Sequence, residues 1–207
     1  VIYVDYNGNR YVNEGDRRDV CANAAVNTGF VSTYAIFTEP VVAGYVRPEE
    51  IEAGIADGRI LKADTLDELA EKINGFEVKG MFPTVTGDNL KATIEKHNSY
   101  IDNGEDLDFH KVMASTMVKI EEGPYYALPQ FPSVHHTMGG LVIDTMTRVL
   151  DIYGQPIEGL YAAGEVTGGV HGTNRLGSNA DADACGFGYI SGIVVATGEI
   201  PDFIPAE

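Results

Sequence analysis

The sequence predicts an α+β region of short strands and helices, followed by a β/α segment whose polar chemistry gathers at glycine-rich strand ends. Three observations predict it. Short apolar, β-branched runs alternate with helical stretches over residues 1–122. Two glycine-rich clusters, 134–140 and 162–180, each adjoin such a run, placing polar residues where binding groups tend to converge. Residues 179–198 then carry small and apolar side chains at helical spacing.

The elements follow in order. Val1-Ile2-Tyr3-Val4 and Arg10-Tyr11-Val12 flank Asn7-Gly8, which predicts a hairpin. Asp16 is positioned to cap a helix over 17–28, with Arg18 and Asp19 in its first turn. Residues 30–38 read as a strand. Pro48 opens a helix that Gly58 stops. Residues 60–63 form a short strand. A capped helix follows over 64–73, with Leu66, Leu69, Ala70 and Ile73 on one stripe. A further helix over 87–101 places Leu90, Ile94 and His97 on one face, and Asn103-Gly104 breaks it. His97 and His110 read as exposed or half-buried. Residues 98–108 read as a polar, acidic stretch. Strands are expected on both sides of Gly123-Pro124, over 117–128, and a hairpin over 141–151. Leu160-Tyr161-Ala162-Ala163 reads as a short strand ending at Gly164-Glu165. The apolar flanks of the glycine clusters read as buried strands.

With 44% hydrophobic and 22% charged residues, the 207-residue chain can build a substantial core. It holds 14 Lys and Arg against 31 Asp and Glu, a formal charge of −17. That balance argues against nucleic acid or an anionic membrane surface as the main partner. No apolar run reaches the roughly 20 residues of a membrane-spanning helix. With no initiating Met and a strand already under way at Val1, the chain reads as a mature or truncated piece of something longer. Cys21 and Cys185 form no metal or redox motif and read as two buried free thiols, with a disulfide left open.

An arginine in a helical first turn is unusual, because that end of the helix favours acids. Arg18 is therefore either a surface residue on a short helix or a cation aimed at an anionic ligand. The glycine clusters contain neither a P-loop nor a Gly-x-Gly-x-x-Gly in strand–helix context. Glu165, after a glycine at a strand end, suits either a ribityl or ribose hydroxyl or a structural turn. Arg175 stands in an otherwise uncharged run and offers a planar fork for a carboxylate, to which His135 can add a hydrogen bond. His135 and His136 point to opposite sides of an extended backbone, which makes them a poor metal pair.

In combination, HHTMGG (135–140), YAAGEVTGGVHGTNRLGSNA (161–180) and ACGFG (184–188) resemble the flavoprotein fumarate reductases. The likeness is to the soluble flavocytochrome type and to relatives such as urocanate reductase. RYVNEGDRRD (10–19) resembles a segment of that family's capping domain. ATIEKHNSYIDNGEDLDFHK (92–111) and EEGPYYAL (121–128) resemble the segments leading back into its flavin domain. The fold implied is an α+β capping domain over 1–122 and the C-terminal β/α part of a Rossmann-like FAD-binding domain over 123–207.

The resemblance also implies roles. Arg18 corresponds to the proton donor. His135 and Arg175 correspond to residues that bind and twist a substrate carboxylate, with Ser178 nearby at a position that is often Gly. Hydride would come from flavin N5 while Arg18 protonates the adjacent carbon. Towards the cofactor FAD stand His136 beside the ring, Gly164 and Glu165 at the ribityl chain, and Asn179, Ala180 and Asp181 at the helix start. Asp181 departs from the Leu or Ile of many relatives. The partners implied are a small dicarboxylate or other unsaturated acid, the N-terminal half of the flavoprotein with its dinucleotide fold, and a haem or FMN electron-carrier domain. The isolated chain is expected to be inactive. Alternatives are a non-enzymatic module that holds no FAD alone, or another superfamily reaction such as succinate or ketosteroid oxidation. Localisation stays open between cell envelope and cytoplasm.

Overall fold

The computed structural model describes residues 1–29, 32–76 and 83–201. Contacts divide the chain into two compact units, Val1–Ser133 and Val134–Glu207.

The first unit is built on a four-stranded antiparallel sheet of β1 (Ile2–Val4), β2 (Thr33–Thr38), β3 (Leu61–Ala63) and β4 (Tyr125–Gln130), in the order β1-β2-β4-β3. Ile2 lies opposite Ile36, Tyr34 opposite Pro129 and Leu61 opposite Ala127. All of β2 is buried, as a central strand covered on both faces must be. Ile36 and Ala127 face one way, packing with Leu69, Ile73, Leu90 and Ile94 of two helices, α4 (Leu66–Asn74) and α5 (Gly87–Asn103). Phe37 and Tyr126 face the other way, stacked at 5.3 Å between centroids. They pack with Val42 of α2 (Glu39–Val42) and Ile51 of α3 (Pro48–Ala56). Each fully buried leucine or isoleucine contributes about 2 kcal/mol.

The expected helices have clear local causes. Thr65 Oγ1 accepts from the Glu68 N–H at 3.2 Å, capping α4, and Leu69, Ala70 and Ile73 form its buried stripe. Thr86 caps α5 in the same way through the Asn89 N–H. Gly104 ends α5 at φ 72°, a left-handed conformation in which a Cβ would be strained.

Several expectations need correction. The N-terminal hairpin is reduced to one bridge between Val4 and Arg10, because β1 pairs with β2 instead. The first helix is α1 (Arg18–Asn27), and Arg17 is its N-cap; Asp16 Oδ1 accepts only from the Arg17 N–H. Residues 117–120 form no strand. The start of the strand expected at 30–38 lies outside the described residues. Cys21 is half-buried and Cys185 exposed, both free thiols.

His97 is buried at 3% exposure, and burial pushes it down to about 4. The acidic stretch after α5 hides a buried carboxylate, Asp106, which pairs with Arg10 Nη2 at 2.8 Å. Burial alone would raise Asp106; the Arg10 guanidinium and the N–H groups of Phe109 and Asp108 prevail and hold it at about 2. Glu14 accepts from Arg10 Nε at 2.7 Å and from Lys111 Nζ at 2.9 Å. This network ties the N-terminal turn to the chain after α5.

β4 lies in the first unit's sheet, so the contact boundary follows Ser133, beyond the functional division expected at 122/123.

The second unit holds a two-stranded antiparallel sheet, β5 (Arg148–Leu150) with β6 (Pro156–Tyr161), a 3-10 turn at Gly164–Val166, and α6 (Asn179–Thr197). The expected hairpin over 141–151 is present as a bridge between Ile143 and Val149. Asp144 organises its turn, accepting from the N–H groups of Met146 and Arg148. The apolar flanks are not buried strands: Leu141 and Val142 are exposed, and β6 is exposed over most of its length. Among the described residues of this unit, the buried apolar side chains are Val149, Ala162, Val194 and Pro201.

Candidate functional site

The two glycine clusters lie side by side in the second unit. A parallel bridge joins Leu141 to Thr167. The Leu141 N–H donates to the Val166 carbonyl at 2.9 Å, and the Gly168 N–H donates to the Leu141 carbonyl at 3.0 Å. This approach needs glycine. A Cβ on Gly168 would stand 2.5 Å from the Gly140 nitrogen, and one on Gly140 would collide with the Val166 carbonyl. Glu165 adds a side-chain link by accepting from the Thr137 N–H at 2.8 Å. That bond holds the Glu165 carboxyl below the usual carboxylate range, so it is charged at neutral pH. Glu165 is itself exposed and keeps acceptor capacity for a hydroxyl ligand. Gly164 is buried at φ 74°, and a Cβ there would lie 3.4 Å from Ala184 Cβ on α6.

The paired histidines separate as extended backbone requires. His135 is exposed, whereas both ring nitrogens of His136 are buried with no hydrogen-bond partner. The His136 ring meets His171 edge-on, with centroids 5.3 Å apart and planes at 81°. His171 Nε2 lies 3.1 Å from Oδ2 of Asp183, a buried carboxylate on α6 whose Oδ1 has no partner.

Arg175 is only 7% exposed. Its Nη1 donates to the Leu176 carbonyl at 2.8 Å, its Nε is buried without a partner, and it makes no salt bridge among the described residues. A buried guanidinium with open donors and no carboxylate is costly, and a bound anion would relieve that cost. Ser178 precedes α6 at φ 64°, left-handed, and its hydroxyl caps nothing. Asn179, Ala180 and Asp181 form the first turn of α6, with Asn179 and Asp181 exposed. This helix of 19 residues directs its partial positive charge at the same cluster.

Arg18 belongs to the first unit, as the exposed first residue of α1. Arg17, not Arg18, pairs with Asp19, through a bond from Nη2 at 2.8 Å. Arg18 has no ion pair among the described residues.

The sequence reading did not single out His171 or Asp183. The available signal was a second acid, two residues after Asp181, among the small and apolar residues of α6. Among the described residues, no group of three or more His, Cys, Asp or Glu could hold a metal ion, and no helix is long and apolar enough to cross a membrane.

These residues fit a flavin. The unpartnered His136 nitrogens, the open Glu165 carboxylate and the α6 N-terminus lie within one unit and offer polar groups to a ligand, and the Gly164 turn, without a side chain, leaves room beside them.

Comparison with known proteins bears on this arrangement. Residues 1–180 match the family described as FAD binding domain. The chain is 45% identical over 193 residues to the NADH:acrylate oxidoreductase of Vibrio harveyi, covering 92% of this chain and 18% of that protein. It is 37% identical over 195 residues to the urocanate reductase of Eggerthella lenta, covering 92% of this chain and 30% of that protein. A flavocytochrome c3 fumarate reductase in its open conformation superposes with a TM-score of 0.67 at 34% identity, over 92% of this chain and 31% of that one. The chain thus spans less than a third of the length of each of these relatives.

Proposed function

This chain belongs to the FAD binding domain family, with FAD as its cofactor, and on that premise we propose that it forms part of an oxidoreductase that reduces the C=C bond of a small unsaturated carboxylate. The observation that carries this reading is Arg175, a buried guanidinium whose Nε has no partner and which has no acidic partner among the described residues. Relatives named for acrylate, urocanate and fumarate support a carboxylate as its ligand.

In this proposal Arg175 and His135 grip the substrate carboxylate and fix the alkene in one orientation. Ser178 borders the same ligand and limits its size. Bound FAD supplies the hydride. Residues 1–122 act as a capping domain, from which Arg18 delivers a proton to the neighbouring carbon; residues 123–207 form part of the FAD-binding domain. His136 flanks the flavin ring. Gly164 and Glu165 receive the ribityl chain, and Asn179, Ala180 and Asp181 present the start of α6 to the ring's pyrimidine end. Asp181 is exposed in that first turn, so its carboxylate can stay turned outward. Further protein, carrying the dinucleotide fold, holds the adenosine and diphosphate end. A haem or FMN carrier domain delivers electrons.

The test uses the intact flavoprotein with fumarate, urocanate and acrylate as separate substrates. Arg175→Ala should raise KM for the reduced acid by about 100-fold, the loss of a charged, two-pronged hydrogen bond of roughly 3 kcal/mol. An unchanged KM would remove Arg175 from the carboxylate site.

A further inference from the structure

Apart from Gly164 and Glu165 on the 3-10 turn, the candidate residues of the second unit sit on three separate segments. His135 and His136 lie on the first cluster, Arg175 and Ser178 on the loop over 168–178, and Asn179 to Asp181 at the start of α6. The loop has little backbone support of its own. Gly169 stands at φ 91°, Gly172 at φ 60° and Ser178 at φ 64°. Its backbone bonds to neighbouring segments include one from Gly168 to the Leu141 carbonyl and a long one from Gly169 to Met138, both at its beginning. Arg175 bonds only within the loop, to the next residue's carbonyl.

One column of side chains crosses all three segments. Asp183 on α6 holds His171 on the loop through the 3.1 Å contact to Nε2, and the His171 ring packs edge-on against His136 at 5.3 Å. Asp183 and His171 are both largely buried, with side chains 3% and 11% exposed. Water therefore does little to weaken the contact.

We propose that Asp183 and His171 are positioning residues: their bond clamps the 168–178 loop to α6 and so fixes where Arg175 presents its guanidinium. Neither residue touches the substrate in this account. The proposal rests on the carboxylate-binding reading only for its functional consequence; the clamp itself is a property of the fold. The His171 ring also braces one side of His136, so a change at Asp183 reaches the first cluster through two rings.

The experiment compares the intact flavoprotein with Asp183→Asn, Asp183→Ala and Arg175→Ala. Asparagine keeps the size and an acceptor for His171; alanine removes the contact. Hydrogen exchange of the amides of 170–177 reads the clamp directly. In Asp183→Ala these amides should exchange at least about 10-fold faster, with a smaller change in Asp183→Asn, while the amides of β5 and the C-terminal half of α6 keep wild-type rates. Titration of the oxidised enzyme with fumarate, followed through the bound flavin's visible spectrum, reads the consequence. Asp183→Ala should weaken fumarate by about 10-fold, and should weaken it less than 2-fold further when Arg175 is already alanine. A purely structural role would predict independent, multiplicative effects. Equal loop exchange in wild type and Asp183→Ala, or multiplicative losses, would overturn the clamp. If fumarate does not perturb the wild-type spectrum, the carboxylate reading fails instead, and loop exchange alone decides the clamp.

Discussion

The two units bury different things. In the first, the buried side chains are overwhelmingly apolar, from Ile2 and Ile36 on the sheet to Leu69 and Leu90 on the helices. Its principal buried charges, Arg10, Glu14 and Asp106, answer one another. In the second, buried polar side chains are as numerous as buried apolar ones among the described residues: Thr147, Thr167, Arg175 and Asp183 against Val149, Ala162, Val194 and Pro201. Several of the polar ones, with His136, leave atoms unpaired. Meanwhile its apolar residues face outward, with Val142 60%, Leu176 68% and Val195 61% exposed. The first interior is an apolar scaffold in which the unpaired polar atoms, Arg10 Nη1, Ser32 Oγ, Tyr34 Oη and His97 Nδ1, are few against the apolar side chains around them. Open polar groups inside the second unit and bare apolar groups on its surface support the proposed ligand and the proposed further protein.

The largest consequence concerns folding. Residues 1–133 alone should unfold in one cooperative urea transition, whereas 134–207 alone should show none and should bind a hydrophobic dye such as ANS. A cooperative transition from 134–207 would break the comparison. Single truncations sharpen it. Leu69→Ala, at a site with no exposure, should cost about 2–5 kcal/mol. Leu160→Ala, at a side chain already 42% exposed, should cost no more than about 0.5 kcal/mol in the same denaturation assay on this chain.

The smallest effect is on pH dependence. His97 is lowered from the ordinary histidine range to about 4 by burial, with Arg10 and Lys111 adding to it. Between pH 6.5 and about 4 the unfolded chain takes up this proton and the folded one does not. Stability from this group is therefore full above pH 6.5 and is lost as pH falls towards 4. His97→Gln should flatten the slope of the first unit's unfolding free energy in that window. A slope identical to wild type would mean that His97 does not carry it.

The same contrast explains what could be read from the sequence. α4 and α5 were legible because apolar stripes are local: Leu66, Leu69 and Ile73, and Leu90 and Ile94, sit at fixed spacings, whereas the capping roles of Thr65 and Thr86 came from the structure. The glycine clusters stood out for the same reason. Long-range pairings were not legible. Asp106 looked like one more acid in a polar loop, because nothing within its own segment reveals Arg10. The His171–Asp183 contact spans a loop of left-handed residues that no periodicity predicts. The strand expected over 160–163 lies instead at Pro156–Tyr161, drawn back by its pairing with β5, and it is mostly exposed, because an apolar run signals burial without saying what buries it.

The proposed reduction needs Arg18 of the first unit as well as the open cluster of the second. Arg18→Gln in the intact flavoprotein tests it most directly, by stopped-flow reoxidation of the reduced flavin with acrylate, urocanate or fumarate. The account predicts that reoxidation by the accepted acid slows at least about 100-fold while flavin content and acid binding stay at wild-type levels. Reoxidation at a near-normal rate would contradict it.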